Sequence, residues 1–469
     1  MKPKAAHNLS LEEMDRQSLI HPFTNLKDHA SGAAAGPSII ESGHGMRVRD
    51  RHGAEFIDAF AGLYCVHIGY GRTEVADAIH EQATKLAYFH ANAGHSNEPA
   101  IRLADRLVRM APANMSKVFF GMSGSDANDT NIKLVWYYNH VLGRPEKRKI
   151  IARHMGYHGG TVLASSLSGI PSIHQGFGLP LGPILHTATP HYYRHAQAGE
   201  SEREFARRCA NELDALIEAE GPDTVAAFIA EPVMGTGGII PPPEGYWEDV
   251  QGVLDRHDIL LISDEIVCAF GRLGADFAAD VLPLKPDLIT VAKGLTSGAV
   301  PLSASIIGEE VWKALERGAE RFGPFAHTFT YSAHPVAAAA ALANLDIIEG
   351  EGLAVNARDT GAYFQERLGA VFADHPMVGE VRGMAMLAAL EFVADKTRKT
   401  PFDVDLGVGQ RVSAACRDEG LIARAMPGGD ILGFAPPLIM TTADADEVVE
   451  RTRRAVERVA ADLRRDNQI

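Results

Sequence analysis

From about residue 115 to 310 the chain alternates short, uninterrupted apolar runs with segments whose apolar residues recur every three or four positions. The runs Lys117–Met122, Lys149–Arg153, Val225–Ala230, Ile259–Ser263, Leu288–Ala292 and Ser303–Ile307 are bounded by Gly, Pro or Asp and show little internal alternation. A strand with one wet face alternates; a strand covered by helices on both faces reads as these do. The pattern therefore predicts an α/β domain around a mostly parallel sheet. Ahead of it, Met46–Asp50 and Ala54–Ala59 flank Arg51-His52-Gly53 as a hairpin, and helices follow over Glu74–Phe89 and Glu98–Met110. After His334 the pattern is helical to about Phe372, then gives short strands at Val378–Val381 and Met386–Phe392 and a closing helix. Val448, Val449, Thr452, Ala455, Val456, Val459, Ala460 and Leu463 fall on one face of that helix, which is core packing rather than a site. With no repeat or low-complexity tract, the terminal segments, residues 1–70 and 341–469, are expected to form one small α+β domain against a large domain over 71–340.

A chain of 469 residues with 46% apolar content buries a large core. Its 60 acidic and 45 basic residues leave a net charge of −15, which repels phosphate backbones and anionic membranes, so nucleic acid is not an expected partner. Cys65, Cys209, Cys268 and Cys416 form no C-x-x-C pair and have no histidines clustered near them, so the sequence suggests neither a metal site nor a disulfide framework. The start is polar from Lys2 to Arg16, and no run approaches the about 20 apolar residues that cross a bilayer. A cytoplasmic protein with no membrane partner is expected.

Two strand ends carry the chemistry. In Ile259-Leu-Leu-Ile-Ser-Asp264-Glu265 and Leu288-Ile-Thr-Val-Ala-Lys293-Gly294 an ionisable residue stands where the apolar run stops. Ligands of open α/β sheets bind outside the carboxyl ends of the strands, so Asp264 and Lys293 can face one crevice. Either residue alone would suit a solvated strand end. As a pair they match pyridoxal 5′-phosphate (PLP): a lysine amine condenses with its aldehyde, and a carboxylate keeps its ring nitrogen protonated. Phe119-Phe-Gly121-Met-Ser123-Gly124-Ser125-Asp126 runs from a strand through small residues into a helix, and free amides there with the helix dipole suit a phosphate. His154-Met-Gly156-Tyr157-His158-Gly159 follows another strand and offers an aromatic face to a cofactor ring.

Together these motifs resemble the class III PLP aminotransferases, the branch that holds the ω-transaminases. The resemblance runs from His21-Pro-Phe23-Thr and Asp58 through Tyr70-Gly, past Glu231-Pro232, to Phe329-Thr330-Tyr-Ser-Ala-His334-Pro and Phe434-Ala-Pro-Pro437. It implies PLP-dependent fold type I, with a mostly parallel seven-stranded sheet, and a homodimer with shared active sites, alone or paired into a tetramer. It implies PLP on Lys293, the phosphate on Gly124 and Ser125, Tyr157 against the ring, Asp264 on its nitrogen, and Thr330 reaching the phosphate held by the neighbouring subunit. Glu231 and Val267 complete the cofactor residues, with Val267 as a small apolar wall under the ring. Phe23, Tyr64 and Ala93 are carried over as substrate walls, and Arg424 as the arginine that swings in to bind a substrate carboxylate.

Many relatives that use 2-oxoglutarate carry an arginine just before Phe-Ala-Pro-Pro that pairs with the glutamate matching Glu231; here that position is Gly433. Without it, Glu231 is expected to lack a partner and to repel a second carboxylate. The expected activity is transfer of an amino group from an ω-amino acid or primary amine to an oxo acid, pyruvate foremost, by ping-pong kinetics. A class III decarboxylase or aminomutase would share the same site. A non-catalytic PLP-binding regulator is disfavoured by the charge and by the lack of an appended helix-turn-helix segment.

Overall fold

The computed structural model describes residues 9–33, 38–466 and 468; residues 1–8 and 34–37 of the expected N-terminal segment lie outside the described residues. Seven strands form the central sheet: β1 (Met115–Gly121), β2 (Lys149–Arg153), β3 (Ile184–Thr187), β4 (Val225–Ala230), β5 (Leu260–Asp264), β6 (Leu288–Val291) and β7 (Ser303–Gly308). Their spatial order is β1-β7-β6-β5-β4-β2-β3. Only β7 runs antiparallel to its neighbours β1 and β6. Six of these strands match the apolar runs to within two residues at each end. The seventh, β3, is a four-residue edge strand whose two middle residues are half-buried, so its sequence carries no apolar run.

Every residue of β4, β5, β6 and β7 is buried. On one face Ile132, Leu134 and Val135 of the Gly124–Val141 helix pack with Leu315 of the Glu309–Phe322 helix over Ile150 and Ile229. On the other, Phe205 and Leu213 of the Glu202–Glu220 helix meet Trp247 and Leu254 of the Tyr246–Arg256 helix over Phe228. Truncating Phe228, which is fully buried, to alanine would cost about 3–5 kcal/mol.

Two smaller sheets draw on both ends of the chain. The hairpin pairs Arg47–Asp50 with Glu55–Asp58, extended on one side by Ile40–His44 and on the other by Leu421–Ile422, which runs parallel to Ile57 and Asp58. The other sheet orders Val378–Met384, Leu387–Phe392, Ile431–Phe434 and Arg424–Ala425. Several of these strands, Ile40–His44 and the three short ones after residue 420, were not foreseen. The helical stretch after His334 is two helices, Pro335–Gly350 and Leu353–Phe372, broken where Gly352 takes φ 63°. The closing helix, Thr442–Arg465, buries all eight residues of its expected stripe. No helix among the described residues is long and apolar enough to cross a membrane.

Candidate active site

A cavity of about 130 Å³ opens beyond the carboxyl ends of the central strands, lined by Gly124, Ser125, Tyr157, Glu231, Asp264, Val267 and Lys293 among others. All seven cofactor-cavity residues expected from this chain's own strands therefore converge there. β5 ends on Asp264 and β6 ends two residues before Lys293, and the strands are adjacent, which places the carboxylate and the amine on one edge.

Asp264 is only 2% exposed and held from three sides. Its Oδ2 accepts from Asn128 Nδ2 at 2.8 Å and His158 Nδ1 at 2.7 Å, while Oδ1 accepts only the Ile266 amide at 3.2 Å. Oδ1 thus keeps the capacity to accept one more donor. The support continues outward: Thr290 Oγ1 donates to Asn128 Oδ1 at 2.7 Å, and Asn131 Nδ2 donates to Thr290 Oγ1 at 2.7 Å. The bonds made hold the carboxylate in one geometry, while Asn131 Oδ1 and His158 Nε2 stay buried without a partner among the described residues. The next residue, Glu265, is fully buried, accepts from the Ala278 amide at 2.7 Å, and has its carboxyl pushed up to about 8 by burial.

Lys293 sits at φ 41°, an unusual backbone for lysine and a form of strain that clusters at functional sites. The turn that follows is pinned by Asn344 Nδ2, which donates to the Gly294 and Leu295 carbonyls at 2.8 and 3.0 Å. Gly294 is glycine because the His67 ring packs on it: a Cβ there would lie 2.2 Å from His67 Cε1. Burial lowers the Lys293 pKa below the ordinary lysine value, against the opposing pull of Cys65, Asp264 and Glu231. The shift raises the share of neutral amine, the form that attacks a carbonyl. The Tyr64 ring centroid lies 5.1 Å from Lys293 Nζ; its hydroxyl is buried without a hydrogen-bond partner, and burial raises its pKa well above the usual phenol range.

The anion cradle is the N-terminus of the Gly124–Val141 helix. Ser123 caps it, its hydroxyl accepting from the Asp126 amide, and the Asp126 carboxylate accepts the Met122 and Ser123 amides. The amides of Gly124 and Ser125 keep no acceptor among the described residues, and Ser125 Oγ accepts the Gly160 amide at 2.9 Å with its own hydrogen still to donate. Two free amides, a hydroxyl and a helix dipole fit a phosphate, and the spare Asp264 Oδ1 fits a protonated ring nitrogen, so the residues present suit PLP.

Glu231 corrects one expectation. Its buried carboxylate accepts the Tyr157 amide at 3.1 Å and the Gly235 amide at 2.6 Å, so it does not lack partners, although burial still raises its pKa. Gly433 stands directly across the strand pair from Arg424, and a Cβ on it would lie 2.7 Å from Met426 Sδ. An arginine at 433 would collide with that packing and crowd the face that Arg424 uses. Arg424 itself lies 5.7 Å from the Phe60 ring centroid, and among the described residues no carboxylate pairs with it.

The remaining expected residues separate. Phe23, 66% exposed, joins Tyr157 and Gly159 around a cavity of about 690 Å³ beside the first. Ala93 and Thr330 are exposed and lie together on another surface: Tyr88 Oη donates to the Thr330 carbonyl at 2.6 Å, and Thr328 Oγ1 to Asn92 Oδ1 at 2.7 Å. Sequence reasoning missed the supports Asn128, Asn131, Thr290 and Asn344, and also Thr236, a buried residue of the cavity lining. His158 and Thr290 were seen in their motifs without a role; the others lie in helices or a loop with no local signature.

Comparison with known proteins agrees with this geometry. The chain is 56% identical over 461 residues to a diaminobutyrate–2-oxoglutarate transaminase of Halomonas elongata, covering 98% of each chain. It superposes with a TM-score of 0.95 and 63% identity on a transaminase from work on directed evolution by ancestral reconstruction, covering 97% of this chain and 99% of that one. The ω-transaminase of Pseudomonas jessenii, solved in complex with PMP, gives 0.94 at 44% identity, with 97% and 99% covered. Residues 30–456 match the family described as aminotransferase class-III, and with a fold type I sheet and a cavity suited to PLP this chain belongs to that family of PLP-dependent enzymes.

Proposed function

We propose that the enzyme moves an amino group from an ω-amino acid or primary amine to an oxo acid, with pyruvate as the acceptor, in two ping-pong half-reactions. Bound PLP supplies the electron sink for the carbon that loses its proton. Lys293 Nζ would hold the cofactor and would also take and return that proton, a role its burial favours. Asp264 would keep the ring nitrogen protonated, Gly124 and Ser125 would bind the phosphate, and Tyr157, Val267 and Glu231 would line the space for the ring. Ala93 and Thr330 serve the site of a second copy of the chain, a reading supported by their shared place on an exposed surface.

Arg424 carries the acceptor assignment. Its unpaired guanidinium can grip one carboxylate with two parallel hydrogen bonds and turn away for an apolar amine, between walls formed by Phe23 and Tyr64. Pyruvate brings one carboxylate. A second carboxylate would approach Glu231 with no arginine at position 433 to meet it. A second reading, with 2-oxoglutarate as the acceptor, is favoured by the name of the Halomonas relative and by the two amides on Glu231, which soften the repulsion. Stopped-flow absorbance of the cofactor decides between them. After conversion with a primary amine, pyruvate should restore the starting spectrum at least about tenfold more efficiently than 2-oxoglutarate, the equivalent of about 1.4 kcal/mol. Equal or better use of 2-oxoglutarate overturns the pyruvate assignment.

A further inference from the structure

Three side chains outside the cofactor cavity converge in the N-terminal segment. Asp15 belongs to the Leu11–Ser18 helix, capped by Ser10, and His29 to the Leu26–Ser31 helix, capped by Asn25; His21 lies in the link between them. His21 Nε2 stands 3.0 Å from both Asp15 carboxylate oxygens, and His29 Nε2 stands 3.4 Å from Oδ1. One donor atom from each residue lies within 4.8 Å of the other two.

We propose that Asp15, His21 and His29 bind a divalent transition ion of the zinc type through one carboxylate oxygen and two imidazole Nε2 atoms. The His29 side chain is nine-tenths buried and its Nε2 has no hydrogen-bond partner, although it is aimed at Asp15. Buried polar atoms are nearly always satisfied, and a metal ion satisfies this one. Two ligands about 2.0–2.1 Å from a tetrahedral ion lie about 3.3–3.4 Å apart; His29 Nε2 and Asp15 Oδ1 already stand at 3.4 Å, and His21 Nε2, at 3.0 Å, would move out by a few tenths of an ångström. Two imidazoles with one carboxylate select zinc, cobalt or nickel over calcium and magnesium, which take oxygen ligands, and leave a fourth position for water. No lysine or arginine pairs with Asp15 among the described residues. The comparable cluster of His191, Glu380 and Glu391 is different, because Arg382 bridges both glutamates and Arg194 pairs with Glu391. That cluster is already neutralised.

The ion would tie together the two helices that bracket Phe23. Ile20, Phe23 and Leu26 of this segment line the larger cavity with Tyr157, Val162 and Phe177. An effect of the ion on amine selection rests on the reading of Phe23 as a substrate wall; ion binding does not.

The test is a titration of untagged, PLP-loaded enzyme with Co²⁺, read as visible d–d absorption, with Zn²⁺ as competitor. The expected result is a saturable band for one ion per chain, removed by Zn²⁺ and lost in both His29→Gln and Asp15→Asn. In parallel, Zn²⁺ should slow tryptic cleavage after the exposed Lys27 at least about threefold in the unmodified enzyme and not in His29→Gln. Cofactor absorbance in each variant reports that it is folded, and His21→Gln replaces any variant that is not. Absence of saturable binding, or the same band in the folded variants, overturns the proposal whether or not the enzyme transaminates.

Discussion

Beneath the cavity and along its rim, the same chain uses polar side chains in opposite ways. Under the floor, Asn128, Asn131 and Thr290 are fully buried and joined by hydrogen bonds that end on Asp264. On the rim, Phe23 is exposed on a loop, and Arg424 sits in a two-residue strand with no carboxylate partner among the described residues. A paired, buried charge is held to one geometry, whereas an unpaired guanidinium on a flexible stem keeps several. Chemistry common to a whole family therefore belongs on the floor, and the choice of substrate belongs on the rim.

The contrast breaks if the floor tolerates change. Asp264→Asn should cost several powers of ten in turnover with the fold retained, since a neutral amide cannot hold the ring nitrogen protonated; steady-state rates and circular dichroism check both halves of that statement. His158→Phe removes one charge-assisted hydrogen bond from Asp264, worth about 1.5–3 kcal/mol, so turnover should fall about 10- to 100-fold with KM for the amine little changed. A fall in thermal stability alone would make His158 merely structural. Arg424→Ala sharpens the comparison from the other side: the half-reaction with pyruvate should slow about tenfold or more, and that with a carboxylate-free amine much less. Equal losses would move Arg424 from the rim's function to the fold's upkeep.

The smallest effect concerns Glu265. Folded, it keeps its proton up to about pH 8, while in the unfolded chain it titrates near 4.5. Between those values the folded state binds more protons than the unfolded one, so this group makes stability fall as pH rises through the window. Glu265→Gln should flatten that part of the decline, seen as a Tm that drops a few degrees less than that of the unmodified enzyme, at roughly 1 °C per kcal/mol for a chain of this length.

The floor was legible in the sequence because its reactive residues stand at the ends of strands that are themselves legible. Val225–Ala230 and Lys149–Arg153 match the structure residue for residue, since burial on both faces leaves an unbroken apolar run. Asp264 and Lys293 follow from the same logic. What holds Asp264 was not legible: Asn128 and Asn131 look like ordinary polar residues of a helix, and only folding turns them toward β5 and β6. The rim fared worse. The strands Arg424–Ala425 and Ile431–Phe434 are too short to show a period, so the apposition of Arg424 with Gly433 could not be read from the chain. Nor could the two amides on Glu231, because backbone donors carry no residue signature.

The central claim is that Lys293, and no other lysine, carries the cofactor. Borohydride reduction of the PLP-loaded enzyme followed by peptide mass spectrometry tests it directly. The phosphopyridoxyl group should be found on the peptide containing Lys293, and Lys293→Ala should be folded, unlabelled at any single site and inactive. A stoichiometric label on a different lysine, or substantial turnover by the alanine variant, would contradict the account.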